Sequence, residues 1–261
     1  MWKERPTLPH GVLCGTDSDQ EWLLPWWWSR FKDHNDLPVT FCDFGMSAEA
    51  RRWCEERGAV IDIVLAPSLI APQEKIPSEL IEKWESIYGP AVWKARGSWF
   101  KKPLALLSTP YLKTIWIDLD CEILASLLEL FETCNSDLPI ALVREPISSH
   151  LPRFHPDIKY NSGVIAYQHG APFIEMWADE AVCSNHLFWG DDPLLSHLIS
   201  KERYEVNEIS EIWNWRMNYG FCMNAKIYHW VGSGGKGFIR ERGGIKPALD
   251  SFFAACGKAK G

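Results

Sequence analysis

Apolar and β-branched residues occur along the chain in short runs, most of them bounded by Gly, Pro, Asn or Asp. Runs of this length and composition predict strands, and the segments between the early runs have the apolar spacing that is typical of helices. The predicted strands span residues 10–16, 38–44, 59–66, 113–119, 138–143, 161–167 and 225–231.

Three helical segments are predicted between these strands. Residues 19–32 form the first, with Asp19 as its N-cap, and residues 47–57 form the second, with Ser47 as its N-cap. Residues 126–133 form a third, shorter helix. The resulting order β-α-β-α-β in the first half predicts an α/β fold with a mainly parallel sheet covered by helices on both faces.

Ligands of such sheets bind beyond the carboxyl ends of the strands, so the residues that follow each strand are the first candidates for a site. No linker rich in Pro, Ser or Gly divides the chain, which favours one domain over residues 1–261. We expect a regular first half over about residues 10–145, a more variable second half over about residues 146–245, and a tail over residues 246–261. The candidates at the strand ends are Thr16, Asp17, Asp43, Ala66, Asp118, Leu119, Asp120, Arg144 and Glu145.

The composition is that of a globular protein, with 46% apolar and 23% charged residues and a net charge of −7. A nucleic-acid-binding protein would show a basic excess or a basic stripe, and neither is present. The 15 tryptophans include the consecutive Trp26, Trp27 and Trp28. Consecutive residues cannot share one helix face, so core packing is expected for most of them and a surface or helix–helix contact for at least one.

None of the eight cysteines forms a CxxC pair, which argues against a zinc ribbon or a thioredoxin-like site. Several lie in apolar runs and are expected to be reduced and buried. The N-terminal sequence has no apolar segment of signal-peptide length, and no run approaches the ~20 apolar residues of a membrane span. These features predict a cytoplasmic protein without a transmembrane segment.

The strongest local signal is a carboxylate pair, Asp118 and Asp120, directly after an apolar strand. In an extended segment residues i and i+2 point to the same side, so both carboxylates are expected to face one ligand. Their mutual repulsion is relieved by a divalent cation, and Mn²⁺ or Mg²⁺ would also bind the phosphates of a diphosphate substrate. The alternative is that Asp118 caps a turn and Asp120 is solvated.

The Asp118-Leu119-Asp120 segment resembles the DxD motif of GT-A-fold glycosyltransferases. The order of further motifs is similar to that of the retaining, glycogenin-like family 8 enzymes and their bacterial relatives, over about residues 10–236. The matching segments are GVLCGTD at 11–17, DFGMS at 43–47, RGSWFKKP at 96–103, YNSGV at 160–164, GDDPLL at 190–195 and HWVG at 229–232 followed by Lys236.

This resemblance implies a single GT-A domain that transfers a sugar from a nucleotide-sugar donor, in this family usually a UDP-sugar, with retention of configuration. It makes residues 10–145 the nucleotide-binding half and residues 146–245 the half for donor sugar and acceptor. It assigns Asp118, Asp120 and His229 to an Mn²⁺ or Mg²⁺ ion. It assigns the remaining matched residues to the donor. The family pattern implies that Thr16 and Asp17 lie near the base and that Arg96, Lys102 and Lys236 lie near the diphosphate. It implies that Asn161, Asp191 and Asp192 lie near the sugar. Three further residues belong to the same motifs: Leu119, Ser162 and Gly232.

Two departures from the family pattern concern catalysis. Lys236 stands one residue further from His229 than in the family, and Asp192 stands where the family commonly has Gln. Gln acts only as a dipole beside an oxocarbenium-like transition state. Asp192 would place a full negative charge there or attack as a nucleophile, and Asp191 precedes it as a second carboxylate.

Each candidate also has a structural interpretation. His229 would be a hydrogen-bonded, half-buried histidine, and Lys236 a solvated residue in a Gly-rich loop. Asn161 would serve a turn. Asp191 and Asp192 would cap a helix that starts with a proline. Arg96 and Lys102 would lie on a solvated helix face, and we expect only one of these two to reach the donor.

Other protein classes remain as alternatives. A non-catalytic nucleotide-sugar-binding or interaction protein of the same fold would keep the architecture. A haloacid-dehalogenase-like phosphatase also has DxD, but with Thr or Val where this chain has Glu122. A sugar-1-phosphate nucleotidyltransferase would need a basic, Gly-rich first loop. The acceptor, whether glycan, lipid-linked or protein, is not identified, although residues 146–156 and the Trp-rich loops are expected to shape its site.

Overall fold

A computed structural model describes residues 8–145 and 158–248 of the chain. All seven predicted strands are present, and three short ones, β5, β8 and β9, were not predicted. The strands are β1 Leu8–Thr16, β2 Val39–Asp43, β3 Ala59–Asp62, β4 Tyr111–Ile117, β5 Cys121–Ile123, β6 Ile140–Arg144, β7 Tyr160–Gln168, β8 Asn207–Ile209, β9 Trp215–Arg216 and β10 Ile227–His229.

Eight α-helices connect or follow these strands within the described residues. Ser47 caps α2 as predicted, because its Oγ accepts a hydrogen bond from the Ala50 amide at 3.1 Å. The helices are α1 Leu24–Lys32, α2 Ala48–Glu55, α3 Ser78–Tyr88, α4 Ala91–Trp99, α5 Lys102–Leu107, α6 Pro172–Cys183, α7 Asp191–Lys201 and α8 Gly232–Arg242.

Two of the predicted helices differ from the observed ones. Asp19 does not cap the first helix, which begins with a short 3₁₀ turn at Glu21–Leu23 and continues as α1. Residues 126–133 form a 3₁₀ helix at Leu128–Thr133 rather than an α-helix. Both segments are too short for apolar periodicity to distinguish the two helix types.

The central sheet has seven strands in the order β3-β2-β1-β4-β7-β6-β8. The pairs β3/β2, β2/β1, β1/β4 and β6/β8 are parallel, whereas β7 is antiparallel to both β4 and β6. The mainly parallel sheet is therefore confirmed. Because β1 and β4 are parallel neighbours, their carboxyl ends open at one edge of the sheet.

A second sheet of three strands, in the order β5-β10-β9, stands beside this edge. Strand β10 runs antiparallel to β5, with His229 opposite Cys121, and the Trp230 amide donates to the Asp120 carbonyl at 2.9 Å. This pairing brings the end of β10 next to the residues that follow β4, although about 110 residues separate them in the sequence.

Side chains of the central sheet alternate between two hydrophobic layers, as the period of two in a strand requires. In β4, Ile115 and Ile117 join one layer with Trp27 and Phe31 of α1. The intervening Trp116 joins the opposite layer with helices α5, α6 and α7. Both faces of the sheet are therefore covered, and the strand ends stay free to form a site.

The three consecutive tryptophans pack against the core, as predicted for most of them. Trp27 is fully buried and stacks on Phe31. Trp28 is half-buried and packs near Trp53, while the Trp26 indole donates to the Gly243 carbonyl at 3.0 Å. Trp26 therefore makes the helix–helix contact that was expected for at least one of the three, because its partner Gly243 is the residue that follows α8.

The cysteines of the described residues are free thiols, and Cys14, Cys42, Cys54, Cys121 and Cys134 are buried as expected. Cys183 is exposed and Cys222 is half-buried, so the expectation does not hold for them, and Cys256 lies outside the described residues. Within residues 8–145 and 158–248, the helices are too short or too polar for any of them to cross a bilayer.

Candidate active site

A cleft of about 130 Å³ opens at the carboxyl ends of β1 and β4. Helices α4, α5 and α8 complete its walls. Many of the predicted site residues converge here, and Phe44, Ser98, Trp99 and Trp116 line it with them. The predicted residues on the wall of the cleft are Thr16, Asp17, Lys102, Asp118, Leu119, Asp120 and Lys236.

The carboxylate pair follows β4, but the backbone there is a turn rather than an extended strand. The Cys121 amide donates to the Asp118 carbonyl at 3.0 Å, which closes the turn. The expected i, i+2 geometry is therefore wrong, yet both carboxylates still face the cleft. Asp120 is buried, with 7% of its surface exposed, so the alternative of a solvated Asp120 does not apply.

Asp118 is held by two donors on its own side of the cleft. The Trp116 indole donates to Oδ1 at 2.7 Å, and Lys102 Nζ lies 3.0 Å from the carboxylate oxygens. The Asp118 amide donates to the Gly163 carbonyl of β7 at 2.9 Å. Asp118 is thereby oriented toward Lys102 rather than toward Asp120.

Asp120 has two partners on the opposite side. Its Oδ2 is 2.8 Å from Lys236 Nζ, and its Oδ1 is 3.3 Å from His229 Nε2. Burial favours the neutral acid, but the Lys236 ammonium group outweighs it and holds the pKa of Asp120 well below its usual range. Asp120 is therefore ionised at any physiological pH.

The ligand atoms of Asp120, Cys121 and His229 lie within 4.8 Å of one another, so these residues are close enough to hold a cation. The carboxylate and imidazole donors suit Mn²⁺ or Mg²⁺. Cys121 is a neighbour that the sequence did not indicate, and burial raises the pKa of its thiol well above the ordinary value. Protonated thiol is a poor ligand, which leaves Asp120 and His229 as the preformed pair.

Lys102 is buried and links the two halves of the site. Its Nζ lies 2.9 Å from Asp191 Oδ2 and donates to Ser162 Oγ at 2.8 Å, in addition to its contact with Asp118. Burial opposes its charge, but Asp118, Asp191 and Asp192 raise the pKa of Lys102 above its usual value. The solvated-face interpretation therefore does not apply to Lys102.

Asp191 and Asp192 are the first two residues of α7, and Gly190 occupies the N-cap position. Their carboxylates do not cap the helix as the structural interpretation required. Asp192 Oδ1 accepts from the Ser162 amide at 2.7 Å, and its Oδ2 accepts from Asn161 Nδ2 at 2.8 Å. Burial, followed by repulsion from Asp191, raises the pKa of Asp192 to about 6.

Asn161 lies inside strand β7, so its alternative role in a turn is wrong. Its Oδ1 accepts from the Gly163 amide at 3.0 Å and from Asn214 Nδ2 at 2.9 Å. Asn214 in turn places its Oδ1 2.9 Å from His229 Nδ1. Asn214 follows a short 3₁₀ turn in an irregular segment, and no pattern in the sequence singled it out.

The four carboxylates around Lys102 and Lys236 outnumber these two ammonium groups. With all six side chains ionised, the charge is 2 − 4 = −2, which a single divalent cation would balance. The carboxylates are Asp118, Asp120, Asp191 and Asp192.

Lys236 does not lie in a loop, because α8 starts at Gly232 and contains it. Gly232 has a positive φ of 74°, which explains the glycine at this helix start. Gly235 packs against the Trp230 backbone, and a Cβ there would lie 2.4 Å from the Trp230 carbonyl. The Gly-rich sequence thus brings the helix close to β10 and directs Lys236 to Asp120.

Arg96 is buried and separate from the carboxylates. Its guanidinium donates to the carbonyls of Ala71 at 2.9 Å and Asn185 at 2.7 Å, so it braces the loop before α3. It borders a neighbouring hollow that shares Asp17 and Ser98 with the main cleft. Of the two basic candidates, Lys102 is the one among the carboxylates.

Thr16 and Asp17 form the end of β1 at the floor of the cleft. Thr16 Oγ1 donates to the Asp17 carbonyl at 3.0 Å, and Asp17 Oδ1 accepts from the Asp19 amide at 3.0 Å. Ser98 Oγ donates to Asp17 Oδ2 from α4. These contacts fix the Asp17 carboxylate. Residues 146–156, expected to shape the acceptor site, lie outside the described residues.

Glu122 occupies the position at which a phosphatase of the haloacid-dehalogenase type has Thr or Val. It is fully buried and accepts hydrogen bonds from the Trp230 indole at 3.0 Å and the Ile245 amide at 2.7 Å. Arg30 Nε lies 3.2 Å from it. Glu122 therefore ties the residues after α8 to the small sheet.

No protein-family model matches the chain, and no curated protein matches it by sequence. Solved structures do resemble it. The galactosyltransferase LgtC, in complex with donor and acceptor sugar analogues, superposes with a TM-score of 0.57 at 13% identity, covering 88% of this chain and 94% of LgtC. The apo form of the glycosyltransferase GlyE from Streptococcus pneumoniae TIGR4 gives 0.56 at 15% identity, over 87% of this chain.

The bifunctional glycosyltransferase WbbM gives a TM-score of 0.54 at 12% identity over 87% of this chain. This chain spans only 55% of the GlyE chain and 46% of the WbbM chain. At these identities the likeness establishes the fold. The predicted fold is confirmed: the chain has the GT-A architecture that these solved glycosyltransferases share.

Proposed function

We propose that this chain is a metal-dependent glycosyltransferase that moves a sugar from a nucleoside-diphosphate sugar, preferably a UDP-sugar, to an acceptor hydroxyl. The single observation that carries the proposal is the convergence of Asp118, Asp120, Lys102 and Lys236 on one cleft at the carboxyl ends of β1 and β4, with His229 in contact with Asp120. The glycosyltransferase fold supports it.

Asp120 and His229 would hold the divalent cation, and Asp118 would join them across the cleft. When bound, the cation neutralises the charge that develops on the departing diphosphate. Lys236 contributes a second positive charge at the same wall, 2.8 Å from Asp120, where it can also meet a phosphate oxygen. Lys102 stays buried and keeps Asp118 and Asp191 in place.

Asp192 would lie at the donor sugar. Both of its oxygens are fixed, one by the Ser162 amide and one by Asn161. A fixed carboxylate stabilises positive charge on the anomeric carbon better than a mobile one, because no reorganisation is needed as that charge develops. We propose that Asp192 provides this stabilisation in a transfer with retention, and that Asn161 positions it.

Isothermal titration of the purified protein with UDP tests this proposal, first with Mn²⁺ and then with EDTA. Micromolar binding that requires Mn²⁺ and is lost in Asp120→Asn is expected, whereas Asp137→Asn, at an exposed surface position, should bind as the wild type does. Absence of UDP binding under every condition would refute the proposal. Mn²⁺-dependent hydrolysis of a UDP-sugar separates the enzyme from a non-catalytic binding protein.

A further inference from the structure

A row of buried amide groups connects Asp192 to His229. It begins at the backbone amide of Gly163, which donates to Asn161 Oδ1 at 3.0 Å. A backbone N–H can only donate, so the Asn161 atom that it meets must be the amide oxygen. The Asn161 nitrogen then faces Asp192 Oδ2 at 2.8 Å, where a carboxylate accepts.

The same argument determines the orientation of the Asn214 side-chain amide. Asn214 lies 2.9 Å from Asn161 Oδ1, and because that atom is an oxygen, the facing atom of Asn214 must be its NH₂ group. The Asn214 oxygen therefore faces His229 Nδ1 at 2.9 Å. An amide oxygen only accepts, so the hydrogen of the neutral His229 ring is on Nδ1.

The lone pair of His229 consequently lies on Nε2 and points at Asp120 Oδ1, 3.3 Å away. Two acceptors that face each other at this distance need a cation or a proton between them. His229, Asn214 and Asn161 are 3%, 2% and 5% exposed, so water cannot readily replace a missing partner.

We infer that Asn214 is a positioning residue: it fixes His229 in the Nδ1–H tautomer, which exposes Nε2 to a metal, and joins it to Asn161 and Asp192. This inference rests on the proposed function for the identity of the cation. Partners of this kind typically account for a 10- to 100-fold effect on metal affinity.

Nitrogen-15 NMR of histidine-labelled protein without added metal tests the tautomer directly. In the pH range where its own signals show that the His229 ring is neutral, it should have a protonated Nδ1 and an unprotonated Nε2, assigned by the signal missing from His229→Gln. A ring with its hydrogen on Nε2 would overturn the inference. The measurement needs no variant of Asn214.

Two variants then separate positioning from a purely structural role. Asn214→Leu removes the acceptor, so the His229 tautomers should mix and Mn²⁺ affinity, measured by titration with MnCl₂ alone, should fall by at least about 10-fold. Asn214→Asp loses the hydrogen bond to Asn161 Oδ1 but keeps an acceptor for Nδ1–H, so it should retain the tautomer and lose less Mn²⁺ affinity than Asn214→Leu. Equal losses in the two variants would contradict the inference.

Asn35→Leu is the matched control for folding. Asn35 is also buried, accepts from the Leu127 amide at 2.8 Å and donates to the Phe31 carbonyl at 3.3 Å, away from the cleft. It should lower the melting temperature without changing the tautomer. A wild type with the predicted tautomer but no affinity for Mn²⁺ would refute the proposed function and, with it, the metal-facing role of Asn214.

Discussion

The His229 ring packs against the backbone of Gly163, in space that a side chain at position 163 would occupy. A Cβ at position 163 would lie 2.3 Å from His229 Cε1 and 2.5 Å from its Nδ1, well inside contact distance. Gly163 belongs to strand β7 and His229 to strand β10 of the other sheet. The glycine of the NSG segment therefore serves the metal site through close packing, and its conformational freedom is not what is needed.

Gly163→Ala should accordingly displace His229 and weaken Mn²⁺ binding by about 10-fold or more, since metal ligands tolerate little loss of geometry. Titration with MnCl₂ measures this. Gly237→Ala is the matched control, because a Cβ there meets open space within α8. Equal affinity in Gly163→Ala and the wild type would show that His229 is not a ligand.

The sequence predicts the central sheet well because each strand carries its own signal. The runs at 113–119 and 161–167 contain the continuous apolar stretches 115–117 and 164–167, as expected of strands covered on both faces. The small sheet was only partly predicted, since β5 and β9 have three and two residues, and the edge strand β8 of the central sheet, with three residues, was missed as well. Strands this short are stabilised by hydrogen bonds to their neighbouring strands, and they are too short to show an alternation of apolar and polar residues in the sequence.

The same distinction applies to the site. Asp118 and Asp120 stand out because they interrupt an apolar pattern, and Lys236 stands out only through a resemblance to known motifs. Asn214 has neither signal, because its role depends on contacts with Asn161 and His229 that only the tertiary structure creates. Polar residues that act through other residues are therefore the part of a site that a single sequence does not reveal.

Lys102 should contribute strongly to stability. Replacing it by Met leaves the buried Asp191 and the half-buried Asp118 without their counter-charge, and the loss of one partner from a buried ion pair typically costs about 3–5 kcal/mol. Urea denaturation measures the free energy of unfolding. Lys32→Met, which removes an exposed pair with Asp36, should change it little. Comparable losses in the two variants would contradict a buried role for Lys102.

Asp192 should make the protein less stable as the pH rises. Its folded pKa is raised to about 6, above the ~3.9 of an unfolded Asp. The folded state therefore binds more protons between about pH 4 and pH 6, so the free energy of unfolding falls through this window. The difference between the folded and unfolded pKa corresponds to about 3 kcal/mol of stability, present below pH 4 and lost above pH 6.

The slope of the free energy of unfolding against pH tests whether Asp192 is the titrating group. Asp192→Asn removes the titration, so its free energy of unfolding should stay flatter between about pH 4 and pH 6 than that of the wild type. The variant also loses a hydrogen bond, because its NH₂ group would face either Asn161 Nδ2 or the Ser162 amide. The slope and not the absolute stability is therefore the measurement. An unchanged slope would place the titration elsewhere.

Lys236 should oppose metal binding and favour donor binding. Its ammonium group lies 2.8 Å from Asp120 Oδ2, where it offsets the charge that attracts a cation. Lys236→Met should therefore bind Mn²⁺ alone as tightly as the wild type or more tightly. The same variant should bind UDP with Mn²⁺ about 10-fold more weakly, since one charged hydrogen bond to the diphosphate contributes about 1.5 kcal/mol or more. Paired titrations with MnCl₂ and with UDP measure both effects. Parallel losses of both affinities would mean that Lys236 acts only by holding Asp120.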